Sequence, residues 1–209
     1  MKILIAIPCM SMMHTRFVKS LITMQLPAET KVMMTENSLV YDARNTMVVK
    51  ALEGGYSHIF WLDSDMTFQP DILYRLVEDA EQYDYVTALC FARRLPTKPI
   101  LCKSIRWEQT ENGVIHEAID MPDYPKDQLF EIAGSGSAAC LVKTSLYESV
   151  AERWKQAAYQ PLQQLGEDYS FCWKLGQLGV KMACDSRVKV GHIGEIEVTE
   201  ELYEGQQNG

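Results

Sequence analysis

Ile59-Phe60-Trp61-Leu62-Asp63-Ser64-Asp65-Met66 is the stretch whose reading decides the fold. Four bulky apolar residues in succession fit a strand buried on both faces, as in a parallel sheet covered by helices. Two carboxylates one residue apart follow at the carboxyl end of that strand, the edge at which open α/β sheets bind ligands. Alternation along a strand would put Asp63 and Asp65 on one side and turn Ser64 away. Carboxylates brought together repel unless a cation lies between them, and hard oxygen ligands favour Mg²⁺, Mn²⁺ or Ca²⁺. A turn carrying two solvated acids would account for the same residues without any ligand.

Working outward, strands and helices alternate. Lys2 to Pro8 reads as a first buried strand stopped by a proline, and Thr15 to Leu26 as a helix ended by Pro27. Thr30 to Thr35 is a short second strand leading into the polar turn Glu36-Asn37-Ser38 at the same sheet edge. Asp42 can cap a helix running to Leu52, closed by Gly54-Gly55. After the Asp63/Asp65 strand, Pro70-Asp71 opens a helix with Ile72, Leu73, Leu76, Val77 and Ala80 on its inner face, and Tyr85 to Phe91 reads as another strand. This order predicts an α/β fold with a mostly parallel, mixed sheet covered by helices.

Residues 105–119 break the pattern. Two alternating runs flank Glu111-Asn112-Gly113 and predict an inserted β-hairpin with a tight Asn-Gly turn. Further on, a strand is expected around Leu129 to Ala133 and an apolar segment over Ala138 to Val142. Helices are expected from Thr144 to about Ala158 and from Glu167 to about Leu178. Short strands at Lys181 to Cys184 and Val188 to Val190 would follow. The acidic, polar tail from 195 to 209 is expected to be poorly ordered. No repeat or linker divides the sequence, so 1–209 reads as one domain.

The net charge of −8 argues against broad non-specific binding to nucleic acid or anionic membranes. The opening apolar run, Ile3 to Ile7, is too short to span a bilayer and reads as a strand, not a secretory leader. Six scattered cysteines without a Cys-x-x-Cys pair, several inside apolar runs, favour reduced thiols in a cytoplasmic protein over disulfides or a zinc site.

Four other sets of residues can carry chemistry. Arg44-Asn45 stand at the expected start of the second helix, where free backbone N–H groups and a guanidinium suit an anion such as a phosphate; a surface Arg and a turn Asn fit as well. Glu167-Asp168 stand in an expected first helical turn, either as macrodipole-favoured caps or as a carboxylate base aimed into the sheet-edge cleft. His192, flanked by two glycines in a short apolar segment, suits metal ligation through a neutral ring nitrogen or simple packing. Arg93, Arg94, Lys98, Lys103 and Arg106 form the one basic run, fitting either a phosphate contact or a solvated loop.

Taken together these segments resemble the family 2-like glycosyltransferases of the GT-A fold. The resemblance rests on the first strand through Pro8, Ala43-Arg44-Asn45, Leu62-Asp63-Ser64-Asp65-Met66, Gly134-Ser135-Gly136, Gly166-Glu167-Asp168-Tyr169-Ser170-Phe171-Cys172 and Val190-Gly191-His192, in that order. It implies a single Rossmann-like GT-A domain, a nucleotide-diphosphate sugar donor (a UDP-sugar first) and Mn²⁺ or Mg²⁺. It implies that Asp65 and His192 hold the metal, with Asp63 touching the ribose or reaching the metal through water. Asp168 would be the base that accepts the acceptor's proton and Glu167 would contact the acceptor. Pro8, Glu36, Asn37, Arg44 and Asn45 would bound the nucleotide site, and Gly134 to Ser137 would lie near the acceptor. The acceptor itself, whether saccharide, lipid carrier, protein or modified nucleic acid, stays open. Two departures stand out: Glu36 or Asn37 occupies the turn where members often carry an Asp that reads the base, and Cys9 to His14 lacks the usual Tyr-Asn type residues.

Asp63-Ser64-Asp65-Met66-Thr67 also fits the Asp-x-Asp-x-Thr motif of haloacid dehalogenase-like phosphatases, with Asp63 as nucleophile and Asp65 as acid. That motif normally ends a first strand, whereas two strand–helix units precede it in this sequence. A catalytically silent nucleotide-sugar-binding module is the remaining alternative. A sugar nucleotidyltransferase would need a glycine-rich, Arg-containing first loop that is missing.

Overall fold

In the computed structural model, which describes residues 1–36, 38–194 and 197–207, the chain opens with β1 (Ile3–Cys9), α1 (Thr15–Thr23), β2 (Thr30–Glu36), α2 (Val40–Glu53), β3 (His58–Leu62) and β4 (Met66–Phe68). It continues with α3 (Ile72–Asp79), β5 (Tyr85–Leu89), β6 (Leu101–Thr110), β7 (Gly113–Asp120), β8 (Leu129–Ile132) and β9 (Gly134–Ser135). It ends with β10 (Ala139–Lys143), α4 (Ser145–Trp154), α5 (Glu167–Gln177), β11 (Met182–Ile193), β12 (Glu197–Val198) and α6 (Glu200–Gln207).

The main sheet runs in the order β12-β11-β5-β10-β3-β1-β2, with β4 and β8 also paired to β11. Strands β2, β1, β3, β5 and β11 point one way, and β10 runs antiparallel between β3 and β5. Buried on both faces, β3 feeds two cores. Phe60 and Leu62 join Ile3, Ile5, Ile7 and Leu141 against Phe17 of α1 and Ile72, Leu73 and Leu76 of α3. Ile59 and Trp61 join Leu4, Ala6, Cys140 and Val142 against Met47 and Val48 of α2, Val150 of α4 and Phe171 of α5. A continuous apolar run is therefore one strand serving two layers.

Several expectations shift. The two short strands expected over residues 181–190 are one strand, β11, with a register break between Asp185 and Lys189. Met182 to Asp185 pair with β5, Lys189 past the break pairs with Leu89 at the end of β5, and Val190 to His192 pair with β4, His192 lying opposite Met66. A break of this kind re-aims the chain, and it carries His192 across to the Asp63–Met66 turn. The hairpin is longer than 105–119. Thr110 pairs with Gly113, so Glu111-Asn112 form the loop and Gly113, at φ +124°, opens the return strand. The expected Asn-Gly turn is thus displaced by one residue. This hairpin and β9 form a separate small antiparallel sheet.

The described part of the tail makes specific contacts with the body of the chain. Tyr203 of α6 packs 4.9 Å from the Phe91 ring, and buried Glu200 accepts from the Tyr124 hydroxyl at 2.6 Å and pairs with Lys189 at 2.7 Å. Acidic composition suggests solvation, but the charge of Glu200 meets Lys189 and Lys126 from distant parts of the chain. Residues 195, 196, 208 and 209 lie outside the described residues, as does Asn37.

Phe60 is fully buried and Val49 half exposed. Phe60→Ala is expected to lower unfolding free energy by about 3–5 kcal/mol in urea titration, while Val49→Ala stays within about 0.5 kcal/mol; equal losses would contradict this account of the core.

Candidate active site

The site is built around Arg44. Helix α2 starts at Val40, not at Asp42, which places Arg44 a full turn inside the helix with its backbone already hydrogen-bonded. The expectation that Arg44 and Asn45 present a helix start to a phosphate is therefore corrected. Arg44 is only 1% exposed. Its Nη2 donates to both oxygens of Asp63, at 3.0 and 3.3 Å, and its Nε lies 3.6 Å from Asp168 Oδ1. Nη1 reaches the Ser137 carbonyl at 3.4 Å, and the guanidinium carbon sits 5.2 and 5.7 Å from the Trp61 and Tyr159 rings. Burial alone would pull the guanidinium pKa down; Asp63 and Asp168 more than reverse this and hold it above its usual value. Asn45 Oδ1 accepts the Tyr159 backbone N–H at 3.0 Å, so Asn45 fixes the loop that carries the Tyr159 ring instead of meeting a nucleotide.

Asp168 is delivered by α5. Gly166 precedes the helix, and Glu167 and Asp168 occupy its first turn, where the free N–H groups favour acids. The loop leading in is fastened from within the helix. Ser170 Oγ accepts from the Leu162 N–H at 2.9 Å and donates to the Leu165 carbonyl at 3.1 Å. Buried Lys174 donates to the carbonyls of Ala158 and Gln160, at 3.1 and 2.8 Å. The Gly134–Ser137 segment lies alongside. A Cβ on Gly134 would come 2.6 Å from Ile105 Cδ1 of β6 and 2.9 Å from the Cys172 Cβ of α5, so its bare backbone lets both approach closely. A Cβ on Gly136 would sit 3.3 Å from Ile100 and 3.7 Å from Asp168 Oδ2. Burial, reinforced by neighbouring Asp168, raises the Glu167 pKa.

Strand alternation does not govern the two acids that follow β3. The strand stops at Leu62, and the Met66 N–H closes a turn on the Asp63 carbonyl at 3.2 Å. The side chains consequently diverge in role. Asp63 belongs to Arg44, while burial lifts its pKa, with Asp168 and Asp65 adding to the rise and Arg44 opposing it. Asp65 belongs to His192 and Arg93: its Oδ2 lies 3.4 Å from His192 Nε2 and 2.6 Å from Arg93 Nη1. The main chain locks the same pair, the Ile193 N–H donating to the Asp65 carbonyl at 2.8 Å. His192 Nδ1 donates to the Phe91 carbonyl at 2.8 Å, which leaves Nε2 facing the carboxylate. Burial works against the imidazolium, but hydrogen bonds to Asp65 and Cys90 outweigh it and push the pKa up to about 10.

Among the described residues no three His, Cys, Asp or Glu side chains gather in a metal-holding geometry, so the expected triad of Asp63, Asp65 and His192 reduces to Asp65 and His192. That pair fits a divalent cation once the cation displaces the Nε2 proton of His192. A carboxylate and a ring nitrogen oriented by a backbone carbonyl are a sound two-ligand set when substrate phosphates and waters complete the shell. On the outer side of the turn, Pro8, Cys9, Ser38 and Ala43 join Asp63 and Asp65 around a cleft of about 170 Å³. Glu36 ends β2, exposed and in register with Cys9.

No protein-family model matches the sequence, and no curated protein sequence matches it either. Solved structures do match in fold. A197 from STIV superposes with a TM-score of 0.64 at 17% identity, covering 93% of this chain and 86% of that one. GalNAc-T7 with UDP, GalNAc and Mn²⁺ superposes with a TM-score of 0.62 at 13% identity over 93% of this chain. This chain has a GT-A-like fold. The GT-A-like region spans 44% of the GalNAc-T7 chain, less than half its length.

Within this fold, the sequence singles out Asp63, Asp65, Asp168 and His192, and the structure gathers them on one rim. Sequence reasoning misses Trp61, Tyr159 and Ser137 around Arg44, and the Phe91 carbonyl behind His192. No local pattern marks them, because their roles arise from contacts across many residues of chain. Arg93, expected in a solvated loop, is an Asp65 partner.

Arg44→Met would leave two facing carboxylates without their cation. Its expected cost is about 3 kcal/mol at pH 7. Because Asp63 already has a raised pKa, removing the guanidinium raises it further. The deficit should be full at neutral pH and shrink as pH falls through the raised folded-state pKa of Asp63 toward the usual carboxylate range, because protonation removes the uncompensated charge. Urea unfolding at pH 7 and pH 4 checks this; a deficit that grows on acidification would contradict it.

Proposed function

We propose that this chain is a metal-dependent glycosyltransferase that moves a sugar from a nucleoside-diphosphate sugar, a UDP-sugar first, to an acceptor hydroxyl. The observation that carries the reading is the pairing of His192 with Asp65 at 3.4 Å on the rim where Arg44 ties Asp63 to Asp168. Asp65 and His192 would hold the cation, and an oxygen-plus-imidazole pair suits Mn²⁺ better than Mg²⁺. When bound, the cation supplies neutralisation of the charge that builds on the departing diphosphate. Arg93, beside Asp65, adds positive charge at the same corner.

The remaining chemistry belongs to the chain's own acids. An acceptor alcohol is a poor nucleophile until a positioned carboxylate takes its proton, and Asp168 is that carboxylate. Arg44 orients it and balances its charge from below, so the base is held before any substrate arrives. Glu167, on the same helical turn, would hydrogen-bond the acceptor. Asp63, held by Arg44, has one flank toward the cleft that includes Pro8 and would meet the ribose there, with Glu36 nearer the base. A base on the face opposite the leaving group performs one in-line displacement, hence inversion at the reacting carbon.

A phosphatase needs a free Asp63 to attack phosphorus, and both Asp63 oxygens are engaged by a buried guanidinium. No observation favours a silent binding module. Among the described residues no helix is long and apolar enough to cross a membrane. A cytoplasmic location is proposed on the six free, buried cysteines, which suit a reducing compartment.

Thermal shift with Mn²⁺ and a panel of nucleoside diphosphates, followed by donor hydrolysis and transfer assays, tests the assignment. Asp65→Ala is expected to lose metal-dependent nucleotide binding. Asp168→Asn should keep that binding and lose roughly 10²–10⁴-fold in transfer rate. Wild-type activity in both variants would refute these roles.

A further inference from the structure

A second cleft, of about 600 Å³, opens on the other side of His192. Its walls include Arg93, Arg94 and Lys98 from the loop after β5, together with Ile100, Tyr169 and His192. Both ends touch the machinery already described. His192 is the partner of Asp65, and Tyr169 follows Asp168 in α5. Ile100 and Asp168 Oδ2 both lie next to Gly136, 3.3 and 3.7 Å from where its Cβ would stand. A molecule in this cleft would therefore lie between the cation pair and the proposed base, where an acceptor belongs.

The charge lining it is unusual for a chain with a net charge of −8. Arg93 is held by Asp65, and Lys98 pairs with Asp120, the acid that also borders the cleft. Arg94 is exposed and, among the described residues, forms no ion pair, so its planar fork of donors is open to a ligand oxyanion. Ile100 and Ala118 supply apolar wall, and Tyr169 adds a ring for the face of a sugar.

Resting on the glycosyltransferase reading, we propose that this cleft takes the acceptor and that the acceptor is anionic, a sugar bearing a phosphoryl or carboxylate group read by Arg94 with Lys98 beside it. The reacting hydroxyl then points toward Asp168 and the acid group toward the loop after β5. Transfer moves one proton from the acceptor oxygen to Asp168, forms the new glycosidic bond and releases the nucleoside diphosphate, so the acid group takes no part in bond making.

The test uses the full chain with Mn²⁺. A first arm measures nucleoside diphosphate binding alone, which reads the glycosyltransferase proposal by itself. A second arm titrates glucose 6-phosphate, glucuronate, glucose and inorganic phosphate, with and without the bound nucleoside diphosphate. Tight binding of either sugar acid over glucose and over inorganic phosphate is expected. Arg94→Gln should weaken the sugar acids by about tenfold or more, the loss of a charged hydrogen-bond pair, and change nucleotide affinity by less than about twofold. Arg94→Lys should recover part of the loss, because charge is kept and the fork is not. Equal binding of glucose and the sugar acids would overturn the proposal. So would inorganic phosphate binding as well as the sugar phosphate, or an Arg94→Gln loss confined to the nucleotide arm.

Discussion

A guanidinium sealed inside the protein constrains everything near it. Arg44 is nearly fully buried and lies against the faces of Trp61 and Tyr159. Taking such a charge out of water costs several kcal/mol unless anions accompany it. The anions come from the end of β3 and the start of α5, far apart in the chain, since Asp63 and Asp168 both face the one cation. The core can close only when the sheet edge and α5 are in register with α2. Folding energy thus specifies the site's geometry, and the two acids need no substrate to be placed.

The same constraint explains why the two acids after β3 diverge. Ser64 and Asp65 form a turn instead of continuing the strand, so Asp63 is drawn down to Arg44 while Asp65 stands out beside His192 and Arg93. One acid faces the buried guanidinium, and the other faces His192 and Arg93. The irregularity in β11 is the matching device. The shift between Asp185 and Lys189 brings Lys189 to Leu89, the last residue of β5, and so sets Val190 to His192 against β4, with His192 across from Met66. The loop after β5 completes the rim, giving the Phe91 carbonyl to His192 and Arg93 to Asp65.

Much of this is legible residue by residue. The unbroken run Ile59 to Leu62 marks a doubly covered strand, and alternating strand and helix patterns lead to the α/β sheet. The spaced acids and the late His mark the rim. Boundaries are less legible where packing overrides local signals. Helix α2 starts at Val40 without a side-chain cap, although Asp42 is the better capping residue. In the tail the acid-rich composition does not show the partners that Glu200 and Tyr203 take, which are Lys189, Lys126 and the Phe91 ring.

By itself the sequence determined the class of fold, the edge of the sheet where chemistry belongs, and the residue types available there. Those follow from periodicity and from the chemistry of carboxylate, imidazole and guanidinium groups, which are local properties. Only the tertiary structure decided which partner each charged group takes: Arg44 under Asp63 and Asp168 instead of at a phosphate, Asn45 on the Tyr159 backbone, Arg93 on Asp65, and Asp63 apart from the His192 pair. Partner choice depends on distances across the folded chain and on the cost of leaving a buried charge alone, and neither quantity is carried by neighbouring residues.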